Sequence, residues 1–263
     1  MLDRSHVTTL VLSIGATEPW NAAGLGLDIR ALAACGVRAL TIVCGVTAQD
    51  RDGLWGAAAI APDLIAAQLR AIDAAPLGAV RIGALLDPAS VGVVVDWLER
   101  RAADGRDVPI AYDPVLGPSG GGAFAGRATF AAIVERLVPR VDLIAPNLAE
   151  IARLTETDIP DSPRAMAHAG ALLRARGARA VLVTGGHLPG DPTDVRVSDD
   201  GTHAFVGSRI AGTLRGTGCL LTCALAAQFA RGATLDEAIV HARAFVRDRF
   251  ASAIDIAGMR VAY

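Results

Sequence analysis

The chain has 263 residues, of which 52% are hydrophobic and 20% charged, with a formal net charge of −2. That length can bury a sizeable core, and so small a charge argues against nucleic acid or an anionic membrane as the main partner. All 25 basic residues are arginine, which excludes a lysine Schiff base and a P-loop lysine and leaves arginine any cationic role toward phosphate.

The segment Met1-Leu2-Asp3-Arg4-Ser5-His6 has no basic head followed by an apolar core, so no signal peptide and a cytoplasmic location are expected. Charged residues interrupt every apolar stretch before membrane-spanning length. Residues 7–15 read as a buried strand ended by Gly15, followed by the loop Thr17-Glu18-Pro19-Trp20-Asn21 and a helix over residues 22–35, closed by Gly36. Residues 37–44 form the next predicted strand, with residues 46–50 just past its end. A short strand over residues 54–60 precedes a helix opened by Pro62 and running to about residue 74.

Residues 80–83 read as a strand, residues 87–103 as a helix, and residues 108–112 as a strand ending in Asp113-Pro114. The glycine-rich run 117–122 has the composition of a mobile loop. A helix over residues 125–137 leads to a strand over residues 141–145 that ends in Pro146-Asn147. Ser162-Pro163 caps a helix reaching Arg176, and residues 180–183 form a strand ending in Thr184-Gly185-Gly186-His187. Residues 193–198 and 202–206 make a hairpin around Asp199-Asp200-Gly201, and the last helix covers residues 235–252. Strands alternating with helices predict an α/β fold, a mostly parallel sheet covered on both faces. No linker or repeat divides the chain, so one domain is expected.

Before that last helix stands Arg215-Gly216-Thr217-Gly218-Cys219, opening an apolar helical run that ends at Gly232. Two glycines let the backbone turn tightly at a helix N-terminus, whose unpaired N–H groups and positive dipole end form an anion cradle. Cys219 sits at its mouth, where the Cys219 pKa is expected to fall. The plain alternative is a glycine turn opening a buried helix, with Cys219 as a small core residue. The other cysteines, Cys35, Cys44 and Cys223, form no CxxC pair or zinc spacing.

In open parallel sheets, ligands bind beyond the carboxyl ends of the strands. Those ends carry Gln49, Asp113, Asn147 with Glu150, and Thr184-Gly185-Gly186. Singly each has a structural reading; Asn147 and Glu150, for instance, fit a capping box. Together they set an amide, two carboxylates and a glycine turn beside an anion cradle, as a metal–nucleotide site requires.

Four collinear motifs carry a resemblance: Val46-Thr47-Ala48-Gln49, Pro146-Asn147-Leu148-Ala149-Glu150, residues 181–187 and residues 213–219. Over residues 11–252 the chain resembles the hydroxymethylpyrimidine/phosphomethylpyrimidine kinases of the ribokinase superfamily. The resemblance implies a ribokinase-like fold, a homodimer, and ATP with Mg²⁺ as cofactors. The implied activity is phosphoryl transfer to a small heterocyclic alcohol or its phosphate, in thiamine biosynthesis. It places Gln49, Asp28, Gly24 and Ala84 on the heterocycle side, with Ala84 where a methionine is common. Asp113, Asn147, Glu150, Thr184 and Gly185 fall on the ATP side, with Glu150 and, indirectly, Asn147 serving the metal. Gly216, Thr217, Gly218 and Cys219 form the catalytic anion hole. Thr184 stands where a lysine is usual and Arg215 where a histidine is usual, so Arg215 is expected to supply the missing cation over the phosphates. The alternatives are a pyridoxal or pyridoxine kinase, or a pyrimidine-binding homologue with weak turnover.

Overall fold

Strand alternation decides how this chain layers. Along β1 (Leu10–Thr17), Leu12 and Ile14 enter one apolar cluster and Val11 the other; along β4 (Leu77–Ile82), Val80 and Ile82 part from Ala79 in the same way. With a side-chain period of two, each strand feeds a core on both faces of the sheet. The computed structural model describes residues 9–117 and 124–262. The glycine-rich loop expected over residues 117–122 lies, beyond Gly117, outside them.

The remaining strands are β2 (Arg38–Gln49), β3 (Leu54–Ala59), β5 (Ile110–Tyr112), β6 (Leu143–Ile144), β7 (Val181–Val183), β8 (Thr193–Ser198) and β9 (Gly201–Val206). Their order in the sheet is β3-β2-β1-β4-β5-β6-β7-β8-β9, with β2 to β7 parallel and β3, β8 and β9 antiparallel at the edges. The helices are α1 (Gly24–Ala34), α2 (Pro62–Ala71), α3 (Pro88–Ala103), α4 (Arg127–Ala132), α5 (Leu148–Thr155), α6 (Pro163–Ala175), α7 (Thr217–Phe229) and α8 (Leu235–Ala251). α1, α7 and α8 bury their apolar faces on one side of the sheet; α2, α3, α5 and α6 cover the other. α7 is buried throughout residues 219–227, because α1 and α8 pack on its outer side. A helix apolar all round requires that burial. No helix is long and apolar enough to cross a membrane among the described residues.

Several predicted boundaries differ from the structure; β4, for example, begins at Leu77 rather than at residue 80. β1 runs on through Gly15 to Thr17, with a shift of register between Gly15 and Ala16. β2 extends past Cys44 to Gln49 because β3 returns alongside it, pairing Gly45 with Ala59 and Gln49 with Leu54. The expected helix over residues 125–137 is α4 followed by a π-type turn over Ile133–Leu137 and a 3₁₀ turn over Val138–Arg140. Pro139 offers no N–H to an α-helical ladder, so the chain leaves the helix there. One element was not anticipated: a C-terminal hairpin of β10 (Ile254–Ile256) and β11 (Met259–Val261), turning through Ala257 and Gly258 at positive φ. Its Met259 and Val261 pack on Ala22, in the loop between β1 and α1.

Candidate active site

The strand order sets the expected site residues in a row along one edge: Gln49 on β2, Gly24 after β1, Ala84 after β4, Asp113 after β5, Asn147 after β6 and Thr184 after β7. The row spans the ends of six strands, with Gln49 at one end, Thr184 at the other and Asp113 between them. The N-terminus of α7 stands over the middle of this row. Gly216 caps it at φ 78°, and a Cβ there would come within 2.4 Å of the Ala22 carbonyl oxygen. Only glycine fits. A Cβ on Gly218 would lie 3.1 Å from Asp113 Oδ2, so the Asp113 carboxylate rests on the open face of the cradle.

Asp113 is held by an arginine buried in the sheet. Arg81, from β4, donates from Nη2 to Asp113 Oδ2 (3.1 Å), from Nη1 to Asp28 Oδ2 (2.7 Å) and from Nε to Thr222 Oγ1 on α7 (3.1 Å). Burial opposes the Arg81 charge, but Asp28 and the neighbouring thiols and carboxylate hold its pKa well above the usual arginine range. Asp28 also accepts from Ser13 Oγ (2.7 Å) and Cys223 Sγ (3.3 Å) and is fully buried. Expected on the heterocycle side, Asp28 is closed off from the surface and anchors Arg81. Gly24, at φ 60° and with Ala16 O 2.5 Å from where a Cβ would lie, closes the start of α1 above this cluster. Half-buried Ala84 sits beside Gly15 in the turn after β4.

The expectation for Cys219 is reversed. Burial pushes its pKa up to about 12; Arg81 pulls it down, Asp28 and Asp113 raise it further, and a hydrogen bond from the Gly24 N–H lowers it. The helix N-terminus is outweighed by desolvation in a cluster that already holds two carboxylates. At neutral pH Cys219 is a thiol that hydrogen-bonds Asp113.

Asn147 and Glu150 make the capping box of α5: Asn147 Oδ1 accepts from the Glu150 N–H (3.0 Å) and Glu150 Oε2 from the Asn147 N–H (2.9 Å). The Asn147 side-chain oxygen and Glu150 Oε2 are thus both committed to the start of the helix. Burial pushes Glu150 up to about 8, with the Asp113 charge adding to it. Burial likewise lifts Asp113 to about 6, against the pull of Arg81. In the unfolded chain both titrate near pH 4. Between there and pH 8 the folded state binds more protons than the unfolded one, so these groups make stability fall as pH rises. Thermal melts of the metal-free protein should show a lower Tm at about pH 8.5 than at about pH 6, and Glu150→Gln should remove part of that slope. Equal slopes in parent and variant would contradict the placement of Glu150.

At the far end of the row, Thr184 bridges to Asn147, and its N–H donates to the Pro146 carbonyl (2.9 Å). The Gly185 N–H donates to Asp194 Oδ1 (2.9 Å), whose other oxygen accepts from Arg243 Nε (2.8 Å). A Cβ on Gly185 would strike the Thr193 carbonyl oxygen at 2.0 Å.

Arg215 goes the other way. Its Nη2 donates to Gln49 Oε1 (2.7 Å) and its Nη1 to the Asp50 carbonyl (2.6 Å), with Met259 Sδ at 3.5 Å. Expected over the phosphates, Arg215 is drawn to the opposite end of the row. There β2, lengthened by its pairing with β3, presents two acceptors. Gln49, almost buried, donates from Nε2 to Thr47 Oγ1 (3.2 Å).

The sequence model of a family described as phosphomethylpyrimidine kinase matches residues 19–261. The chain belongs to the phosphomethylpyrimidine kinase family. It is 31% identical over 250 residues to a hydroxymethylpyrimidine/phosphomethylpyrimidine kinase of Rhizobium meliloti, covering 94% of this chain and 92% of that one. The protein of the same name from Escherichia coli is 29% identical over 245 residues, covering 92% and 91%. In fold it is similar to Bacillus subtilis pyridoxal kinase, crystallised as an ADP complex, with a TM-score of 0.88, 24% identity and 97% of each chain covered. A phosphomethylpyrimidine kinase from Clostridium difficile superposes with a TM-score of 0.80 at 22% identity, covering 92% of this chain and all of that one. The fold is ribokinase-like, as the motifs implied.

Within this family member, sequence reasoning passed over several residues that build the site. Arg81 is the chief of these, and its signal was legible: one arginine between Val80 and Ile82, in a strand otherwise apolar. Glu18 is another, a buried carboxylate accepting from the N–H groups of Trp20, Ala22 and Ala23 at 2.5 to 2.9 Å. It orders by hydrogen bonding the loop between β1 and α1. Asp194 and Arg243 brace Gly185 from β8 and α8, and Arg209 gathers the carbonyls of Gly186, Leu188 and Gly190.

Proposed function

We propose that this protein transfers a phosphoryl group from ATP to the hydroxymethyl oxygen of hydroxymethylpyrimidine, and then to the resulting monophosphate, in thiamine biosynthesis. Its named relatives at about 30% identity over nearly the whole chain support the substrate. One observation carries the chemistry: the glycine-lined start of α7, backed by Asp113, midway between an amide-bearing end and a capping-box end of the same row.

In this reading ATP lies along Asn147, Thr184 and Gly185, and the heterocycle against Gln49, Gly24 and Ala84. The N–H groups of the first turn of α7 receive the transferring group, stabilising charge that develops there. Asp113 and Glu150 are the carboxylates of this row, and two carboxylates plus phosphate oxygens would suffice to hold a Mg²⁺ ion. Bound Mg²⁺ would supply neutralisation of phosphate charge. Among the described residues no cluster of three or more His, Cys, Asp or Glu forms a cage of its own. The Cys219 thiol, protonated at rest, can take the alcohol proton only while passing its own to Asp113, so positioning carries more of the rate than basicity. The functional unit is a homodimer; on the edge pair of strands Trp55 of β3 is 76% exposed and Val46 of β2, paired with Ala58, is 47% exposed, apolar surface that a second copy would cover. Sedimentation at micromolar concentration tests it, and a monomer alone would contradict it.

A relative from Treponema pallidum, 28% identical and described as a putative pyridoxine kinase, makes pyridoxine the second reading. ADP release measured with hydroxymethylpyrimidine, its monophosphate, pyridoxal and pyridoxine separates the two. The pyrimidines are expected to lead in kcat/KM by roughly 10-fold or more, about 1.4 kcal/mol of transition-state preference. A lead for pyridoxine would overturn the assignment of substrate and leave the kinase reading intact.

A further inference from the structure

Resting on that reading of the heterocycle end, we propose that Arg215 is a positioning residue. It locks the Gln49 carboxamide in one orientation and so makes this end of the site select rings whose edge offers a hydrogen-bond acceptor.

A carboxamide can present either face to a ligand, its oxygen or its N–H groups, and nothing in its shape distinguishes them. Here chemistry decides. Arginine has no acceptor, so the Gln49 atom 2.7 Å from Arg215 Nη2 must be the oxygen. The amide nitrogen then faces Thr47 Oγ1 at 3.2 Å, and the Thr47 hydroxyl spends its hydrogen on the Thr17 carbonyl at 3.3 Å. Every donor in this chain therefore runs in one direction: guanidinium to amide oxygen, amide N–H to hydroxyl, hydroxyl to backbone. Reversing the amide would set N–H against guanidinium and oxygen against a hydroxyl whose hydrogen is taken. Among the described residues the second Gln49 N–H has no acceptor. Its oxygen stands beside a cation that is itself fixed by the Asp50 carbonyl at 2.6 Å and by Met259 of the C-terminal hairpin.

What this end offers a ring is thus an N–H donor with positive charge behind it. An unprotonated ring nitrogen or another acceptor is matched; a C–H or a protonated nitrogen at the same place leaves the buried N–H unpaired. The hairpin of β10 and β11 belongs to the device, since Met259 contacts Arg215 and the Arg215 N–H donates to the Arg260 carbonyl at 3.1 Å.

The test measures calorimetric affinity and, in parallel, steady-state kinetics for hydroxymethylpyrimidine and for a hydroxymethylbenzene lacking the ring nitrogens. The parent is expected to favour the nitrogen heterocycle by roughly 10-fold or more. Arg215→Ala should raise the heterocycle KM by about 10-fold and bring the preference toward unity, with the ATP KM and kcat within about two-fold. Arg215→Lys should recover part of the preference, because an ammonium can still donate to Gln49 Oε1. Gln49→Glu keeps the pairing with Arg215 but removes the N–H, and should abolish the preference. An Arg215→Ala variant that keeps its heterocycle affinity and preference overturns the inference, as does one whose ATP KM alone rises. Binding without turnover by the parent counts against the kinase reading only, and no binding of any ring by the parent overturns both.

Discussion

Gly218→Ala is expected to lower kcat by roughly 10²-fold or more while leaving Tm close to that of the parent. The added Cβ would sit 3.1 Å from Asp113 Oδ2 and 3.3 Å from Oδ1, on the side of the α7 start that the transferring group must occupy. The backbone there is helical and φ is not positive, so alanine meets no conformational penalty. In helices alanine is favoured over glycine by about 1 kcal/mol, which offsets the few tenths of an ångström by which the carboxylate must give way. A substitution that stabilises the helix yet blocks the cradle separates function from folding. Steady-state kinetics beside a thermal melt checks both. A variant turning over like the parent would show that the transferring group does not lie on this turn.

Arg81→Met should cost the fold about 3–5 kcal/mol, the usual loss when one partner of a buried ion pair is removed. The loss has an identifiable origin, because the Asp28 and Asp113 carboxylates both lean on this guanidinium and both are buried. Without it each must take up a proton or push the other aside. Asp28→Asn in the same chain should return a good part of the stability, since it removes one of the two orphaned charges. Denaturant titration of the single and double variants is the check. A double variant no more stable than the single would mean that Arg81 acts by packing its stem rather than by charge.

The backbone plan of this protein was legible because its signals are local. Pro62 and Pro163 stand in first turns, Asp87 and Ser162 accept from the N–H three residues on, and Asn147 with Glu150 close a capping box. What escaped depends on neighbours remote in the chain. Nothing near Cys44 says that β2 will run on to Gln49, because β3 supplies the pairing that extends it. Cys219 has the local marks of an activated thiol, yet burial by remote neighbours raises its pKa, and Asp28 and Asp113, arriving from α1 and the end of β5, add to the rise. Arg215 lies next to Gly216 in sequence, but its side chain is claimed by Asp50 and Gln49, about 165 residues away. The C-terminal hairpin was within reach: Ile254-Asp255-Ile256 and Met259-Arg260-Val261 flank a two-residue turn ending in glycine.

An arginine-only chain also shapes how its loops are held. Arg209 takes three carbonyls of the turn after β7, and Arg247 takes that of Ser208, work suited to a fork of donors rather than a point charge. The loops that follow β7 and β9 are therefore tied down by arginine from outside.

The most direct test follows the product. The parent protein is incubated with hydroxymethylpyrimidine, ATP and Mg²⁺, and the heterocycle is followed by mass and by phosphorus resonance. One phosphoryl group on the hydroxymethyl oxygen, then a second on the first, with ADP formed in step, is the expected result. ATP consumed with no phosphorylated pyrimidine, or an ester formed only on pyridoxine, would contradict it.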